Sequence, residues 1–113
     1  MSEKILEQSI LHYLNLQPGW FAFKYYSVGI FDPGGFYRKK SRFAPNGISD
    51  IIGLYNGRFI AIEVKIKGNK PTEQQQAFIN KVNKTGGAAT WVDSLIKAME
   101  FVNELVERNT AND

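Results

Sequence analysis

The dipeptide Asn56-Gly57 limits what this chain can fold into more than any other pair of residues. It separates two apolar segments, 48–55 (ISDIIGLY) and 58–66 (RFIAIEVKI), and is the strongest short-range signal for a β-hairpin. Both segments carry apolar residues on both faces instead of alternating strictly with polar ones. Strands of that kind are covered on two sides, so the hairpin belongs at the centre of a sheet. The rest of the chain has to provide the cover.

The flanking sequence offers suitable pieces. Residues 3–16 read as a helix, with Ser2 as N-cap and apolar Ile5, Leu6, Ile10, Tyr13, Leu14 and Leu16, stopped by Pro18-Gly19. His12 falls on its polar side with Lys4, Gln8 and Asn15. Residues 20–28 are aromatic-rich and favour a strand; Trp20, Phe21, Phe23, Tyr25 and Tyr26 are expected in the core or on a packing surface. Gly29, Pro33-Gly34-Gly35, Pro45 and Gly47 make 29–47 a long loop, and such loops inside a compact domain are usually functional.

Downstream, 72–85 is predicted as a second helix, capped by Thr72 and ended by Gly86-Gly87. Residues 88–92 form a short strand. A third helix spans 94–107, with Leu95, Ala98, Met99, Phe101, Val102, Leu105 and Val106 facing inward, before a frayed polar tail at 108–113. The predicted order is αβββαβα: an α/β fold with a mixed central sheet and flanking helices, within a single domain over 1–113.

Composition narrows the chemistry. The chain has no cysteine and one histidine, which excludes disulfides, thiolate metal sites, cysteine nucleophiles and a multi-histidine zinc site. Any bound metal must be held mostly by oxygen. No apolar run is long enough to span a bilayer and the N-terminus lacks a signal-peptide pattern, so a soluble protein of a reducing, cytoplasmic compartment is expected. The net charge of +3 is uneven. Segment 29–47 carries Arg38, Lys39, Lys40 and Arg42 against Asp32, and 66–85 carries Lys67, Lys70, Lys81 and Lys84 against Glu73, whereas 86–113 is acidic. Arginines beside Tyr37 and Phe43 suit phosphates and exposed bases, which makes Arg38, Lys39, Lys40, Arg42, Lys67 and Lys70 candidate nucleic-acid contacts.

The turn also dictates register. With a two-residue loop, Tyr55 pairs with Arg58 and paired positions sum to 113, so Asp50 lies opposite Glu63 on one face, with Lys65 on that face too. Two facing carboxylates in a sheet centre repel and need compensation. Lys65 offsets part of the charge; a divalent cation would offset more, and carboxylate oxygens favour Mg²⁺ or Mn²⁺. The competing arrangements are a structural salt bridge of Lys65 at a sheet edge, or a bulged three-residue loop that separates the carboxylates.

Gly47-Ile48-Ser49-Asp50 followed by Ile60-Ala61-Ile62-Glu63-Val64-Lys65 resembles the PD-(D/E)xK nuclease superfamily, which has a restriction-endonuclease-like fold. With Glu7 early in the chain and Gln75 after the ExK strand, the chain is most similar to the virus-type replication–repair nucleases (VRR-NUC domains) of stand-alone phage and bacterial type. The likeness runs from Glu7 to about Trp91. Ser49 stands where the superfamily name has proline, at a position that is no ligand.

The resemblance implies that Asp50, Glu63 and the Val64 backbone carbonyl hold Mg²⁺ or Mn²⁺, with Glu7 reaching the metal through water. It also implies that Lys65 orients or deprotonates the attacking water, and that Gln75 contacts that water or DNA. Read from the residues alone, Glu7 could equally be a half-exposed glutamate at the edge of the apolar stripe, and Thr72-x-x-Gln75 fits a helix capping box. The implied activity is metal-dependent endonucleolytic hydrolysis of DNA phosphodiesters, in a bacterial or phage-infected cell. Branched DNA such as Holliday junctions is the expected substrate, cut by a homodimer with no organic cofactor. The alternatives are a nuclease for flaps, single strands or a specific sequence, a catalytically silent DNA-binding module, and an assembly protein that uses the same fold.

Overall fold

A computed structural model of the chain describes residues 2–26, 30–31, 37–38 and 43–111. Helix α1 (Glu3–Asn15) begins where Ser2 Oγ accepts a hydrogen bond from the Ile5 N–H at 3.1 Å. Strand β1 (Trp20–Lys24) follows, then β4 (Ile51–Tyr55) and β5 (Arg58–Val64), helix α2 (Glu73–Lys84), strand β6 (Ala88–Val92) and helix α3 (Leu95–Ala111). The short strands β2 (Ile30–Phe31) and β3 (Tyr37–Arg38) pair with each other in a separate two-stranded ladder. Their ladder corrects the expectation of an unbroken loop over 29–47: Ile30, Phe31 and Tyr37 are β-favouring residues, enough for a minimal antiparallel contact.

Asn56 and Gly57 have φ of 48° and 85°, both positive, as a two-residue hairpin turn requires. The ladder then runs from Tyr55↔Arg58 to Ile51↔Ile62, which is the predicted register and rules out the bulged loop. The main sheet has the order β1-β4-β5-β6, antiparallel except for β5 and β6, so the hairpin strands are the two central ones.

Cover comes from both sides. On one face Leu6, Ile10 and Leu14 of α1 and Ala98, Val102 and Leu105 of α3 pack on Trp20, Ala22, Ile51, Tyr55, Ile60, Ile62, Val64 and Val92. Trp20 and Tyr55 stack with ring centroids 5.2 Å apart. On the other face Ile79 and Val82 of α2 rest on Ala61 and Ala89, whose small side chains let the helix approach closely. Together these elements form an α/β arrangement with helices on both faces of a mixed sheet. None of the helices of the described residues is long and apolar enough to cross a membrane.

Several expectations are corrected at the periphery. Each outer helix buries a single stripe, so Ile5 of α1, Leu16 at its C-cap, and Leu95, Met99 and Val106 of α3 remain exposed. Helix α3 continues to Ala111 instead of fraying at 108; the segment holds no Gly or Pro, and Glu104 and Arg108 have the favourable i,i+4 spacing. Helix α2 covers only part of its sheet face. Phe21, Leu54 and Phe59, which the register sets in one row across three strands, are exposed together with Phe23.

On each edge strand of the sheet an asparagine bonds both outward backbone groups of one residue. The Asn15 side chain accepts from the Ala22 N–H (2.8 Å) and donates to the Ala22 carbonyl (2.9 Å) on β1. Asn83 does the same to Ala89 on β6 (2.8 and 3.0 Å). An amide presents one donor and one acceptor in the spacing of a strand, so each occupies outward backbone groups that would otherwise recruit another chain. Asn15→Ala is expected to lower stability by about 2 kcal/mol, because two part-buried backbone groups lose their partner. Urea unfolding measures this, and a change below a few tenths of a kcal/mol would contradict the assigned role.

Candidate active site

The acidic pair forms where the central ladder stops. In an antiparallel ladder, hydrogen-bonded and non-bonded pairs alternate, and after Ile51↔Ile62 the next backbone donor on β5 facing β4 is the Val64 N–H. That donor goes to the Asp50 carboxylate, with Val64 N to Asp50 Oδ2 at 3.0 Å. Reciprocally, the Asp50 N–H donates to Glu63 Oε2 at 3.0 Å, while the Asp50 carbonyl accepts from the Tyr25 N–H at 2.7 Å. Two main-chain donors that a longer sheet would use in its ladder thus orient two carboxylates.

Each carboxylate has a second oxygen, and each of these faces an ammonium. Asp50 Oδ1 lies 3.5 Å from Lys24 Nζ, and Glu63 Oε1 lies 3.9 Å from Lys65 Nζ. Lys24 Nζ also donates to Glu7 Oε2 at 2.9 Å. Glu7 is 8% exposed and Glu63 only 2%, so three acidic groups from α1, the start of β4 and β5 are drawn to one end of the sheet around two lysines. The Glu7 found here is buried and paired, not half-exposed.

Burial dominates the electrostatics. Loss of hydration, and next the charge of Asp50, push the Glu63 carboxyl up to about 8, against the Asp50 N–H and the Lys65 charge. Burial also works against the charge of Lys24, but its hydrogen bond to Glu7 and the two nearby carboxylates outweigh this and hold it above the ordinary lysine range.

The remaining predicted residues are placed as follows. Lys65 shares the face of Glu63, as the alternation requires, but the strands are central, so the pair is not an edge salt bridge. Val64 is fully buried and its N–H serves Asp50. Gln75 forms the capping box of α2: its Oε1 accepts from the Thr72 N–H at 2.9 Å and Thr72 Oγ1 accepts from the Gln75 N–H at 3.2 Å. Its carbonyl end is thereby committed to the helix start. Lys67 and Lys70 are exposed on the turn after β5. Lys39, Lys40 and Arg42 lie outside the described residues, as does the Arg38 side chain.

Two participants escape sequence reasoning. Lys24 looks like one more surface lysine at a strand end; only the proximity of α1 reveals its role. Gly47, with φ of 71°, abuts the α2 backbone so closely that a Cβ would lie 2.4 Å from the Gln74 carbonyl, which ties the segment leading to Asp50 onto the helix start. Two residues on, Ser49 is fully buried, and its hydroxyl has no hydrogen-bond partner among the described residues.

Among the described residues no group of three His, Cys, Asp or Glu side chains converges on a single point; Glu7 joins Asp50 through Lys24. The donor set nevertheless suits a hard divalent cation. Asp50 and Glu63 are each oriented by a main-chain N–H and each turns its second oxygen toward an ammonium, and carboxylate oxygens of this kind, once deprotonated, are hard ligands for Mg²⁺ or Mn²⁺. Compared with known proteins, the chain matches no family model, no curated protein and no solved structure.

Two measurements probe the site's energetics. Between about pH 5 and pH 8 the folded chain holds a proton on Glu63 that the unfolded chain has released near 4.5, so stability falls as pH rises through this window. Without divalent ions, Tm is expected to drop by several degrees across it, and Glu63→Gln should flatten the profile; an equal slope in both proteins would sink the assignment. Ser49→Ala, which removes a buried hydroxyl with no partner among the described residues, is expected to be neutral or to stabilise by about 1 kcal/mol in denaturant titration.

Proposed function

We propose that this protein is a metal-dependent endonuclease that hydrolyses DNA phosphodiesters. The observation that carries the reading is the reciprocal lock of Asp50 and Glu63, each fixed by a main-chain N–H and each turning its second oxygen toward a lysine. Facing carboxylates of this kind oppose folding when both are ionised, and a bound cation offsets that cost. Such cost is typical of sites retained for chemistry.

In this reading Asp50 and Glu63 hold Mg²⁺ or Mn²⁺, with the Val64 carbonyl as a further oxygen and Glu7 at one remove. The cation, when bound, supplies Lewis-acid polarisation of the scissile phosphate and activation of water. The protein's own part falls to Lys65. On the same face as Glu63 and part-buried, its ammonium orients the attacking water and neutralises charge that builds up on the phosphate oxygens. Exposed Lys67 and Lys70 follow on the adjoining turn, where they can contact flanking phosphates, with the basic stretch Arg38–Arg42 extending the same electrostatic attraction.

Phosphate and shape contacts carry no base code, so recognition of DNA form is favoured over recognition of sequence. A four-way junction has approximate two-fold symmetry, and a symmetric dimer offers it two active sites. The exposed row Phe21, Leu54 and Phe59 is apolar surface that such a dimer could bury.

The test is cleavage of a labelled four-way junction beside linear duplex and single strand, in Mg²⁺ or Mn²⁺ and in EDTA. Symmetric nicking of the junction is expected, abolished by EDTA and lowered about a hundredfold or more by Lys65→Ala. Equal cutting of all substrates would keep the chemistry and overturn junction preference. Binding without cleavage in any divalent cation would favour the silent module.

A further inference from the structure

Lys24 is the residue at the site whose position the chemistry above leaves unexplained. By strand parity it belongs with Trp20 and Ala22, which are buried against α1, whereas Asp50 shares parity with Ile52, which packs toward α2. The lysine stem therefore passes round the end of the sheet. Its ammonium stops between Glu7 Oε2, at 2.9 Å, and Asp50 Oδ1, at 3.5 Å. Asp50 Oδ1 is the oxygen left over when Oδ2 accepts from the Val64 N–H. The exposed ring of Tyr26 lies 5.5 Å from the same Nζ.

We propose that Lys24 is the built-in counter-ion of this site: its ammonium holds Glu7 and Asp50 when no divalent cation is present, and yields to that cation on binding. The inference rests on the reading of the Asp50–Glu63 pair as a divalent-cation site. A flexible ammonium neutralises the carboxylates without an inorganic ion, so the apo protein avoids leaving buried Glu7 and part-buried Asp50 uncompensated. Displacement requires somewhere for the charge to go. The Tyr26 ring face, already within cation–π range, receives it at the solvent boundary. Metal affinity is then set by a competition inside the molecule, and the apparent affinity is lowered by the fraction of molecules in which Lys24 occupies the position.

A purely structural tether predicts the opposite result. If Lys24 only pinned α1 to the sheet, its removal would loosen the acidic groups and weaken cation binding. The experiment is calorimetric titration of the metal-free 113-residue chain with Mn²⁺, for wild type, Lys24→Met and Tyr26→Leu, with thermal melts before and after. Lys24→Met is expected to melt lower than wild type without metal, to bind Mn²⁺ about tenfold more tightly, and to recover most of the lost Tm when loaded. Tyr26→Leu, which removes the receiving ring, is expected to bind Mn²⁺ about threefold more weakly.

Unchanged or weaker binding by Lys24→Met, with normal binding by wild type, overturns the counter-ion role and leaves the cation site intact. Absence of Mn²⁺ binding by folded wild type overturns the cation reading and this inference with it. Should Lys24→Met fail to fold without metal, Lys24→Gln keeps a hydrogen-bond donor for Glu7 but no charge, and the same increase in affinity is required of it.

Discussion

The pairing between β4 and β5 is the constraint on which the rest of this structure depends. A two-residue turn with positive φ at Asn56 and Gly57 allows one register, and a shift of a single residue would exchange the faces of every side chain on both strands. In the observed register Ile51, Ile60, Ile62 and Val64 meet α1 and α3, while Ala61 meets α2. The same register sets Glu63 opposite the point where β4 begins, and so beside Asp50. Core and site are consequences of one ladder, and neither could be moved without the other.

The end of that ladder shows how backbone can be used to hold charge. A strand that continued would consume the Val64 and Asp50 amides in pairing; here they orient carboxylates instead. Charge-assisted hydrogen bonds of this kind are stronger than neutral ones and partly offset the loss of hydration. They do not offset all of it, as the elevated pKa of Glu63 indicates. The site is therefore a local conflict in an otherwise consistent fold: buried Glu63 beside part-buried Asp50 at the end of a hydrophobic sheet, balanced by Lys24 on β1 and Lys65 just past β5.

Elsewhere the fold resolves its conflicts with simple means. Asn15 and Asn83, on separate helices, each occupy one residue of an edge strand by imitating the hydrogen-bonding pattern of a neighbouring strand. Beside these edges, the face of the sheet that α2 leaves uncovered exposes Phe21, Leu54 and Phe59 in a row. Contact there would use side-chain packing instead of strand addition.

Local chemistry sufficed to read much of this from the residues: Asn56-Gly57 as a turn, the central place of its two strands, Ser2 and Thr72 as helix caps, and the proximity of Asp50, Glu63 and Lys65. Each is settled by a few neighbouring residues whose preferred geometry the tertiary fold does not override. Gln75 shows the limit of that reasoning, since a capping box and a site residue look alike in sequence, and the structure commits its carbonyl to the cap. The depth at which Glu7 lies, the exposed aromatics of β1 and the position of Gly47 depended on how far each helix covers the sheet. So did Lys24: nothing in WFAFK distinguishes its lysine from a solvated one. By itself the sequence determined the register, and with it the carboxylate pair, because pairing follows from turn geometry and alternation. Only the tertiary structure decided what surrounds that pair, because α1 reaches the end of the sheet through packing between residues far apart in the chain, and no local pattern encodes that distance.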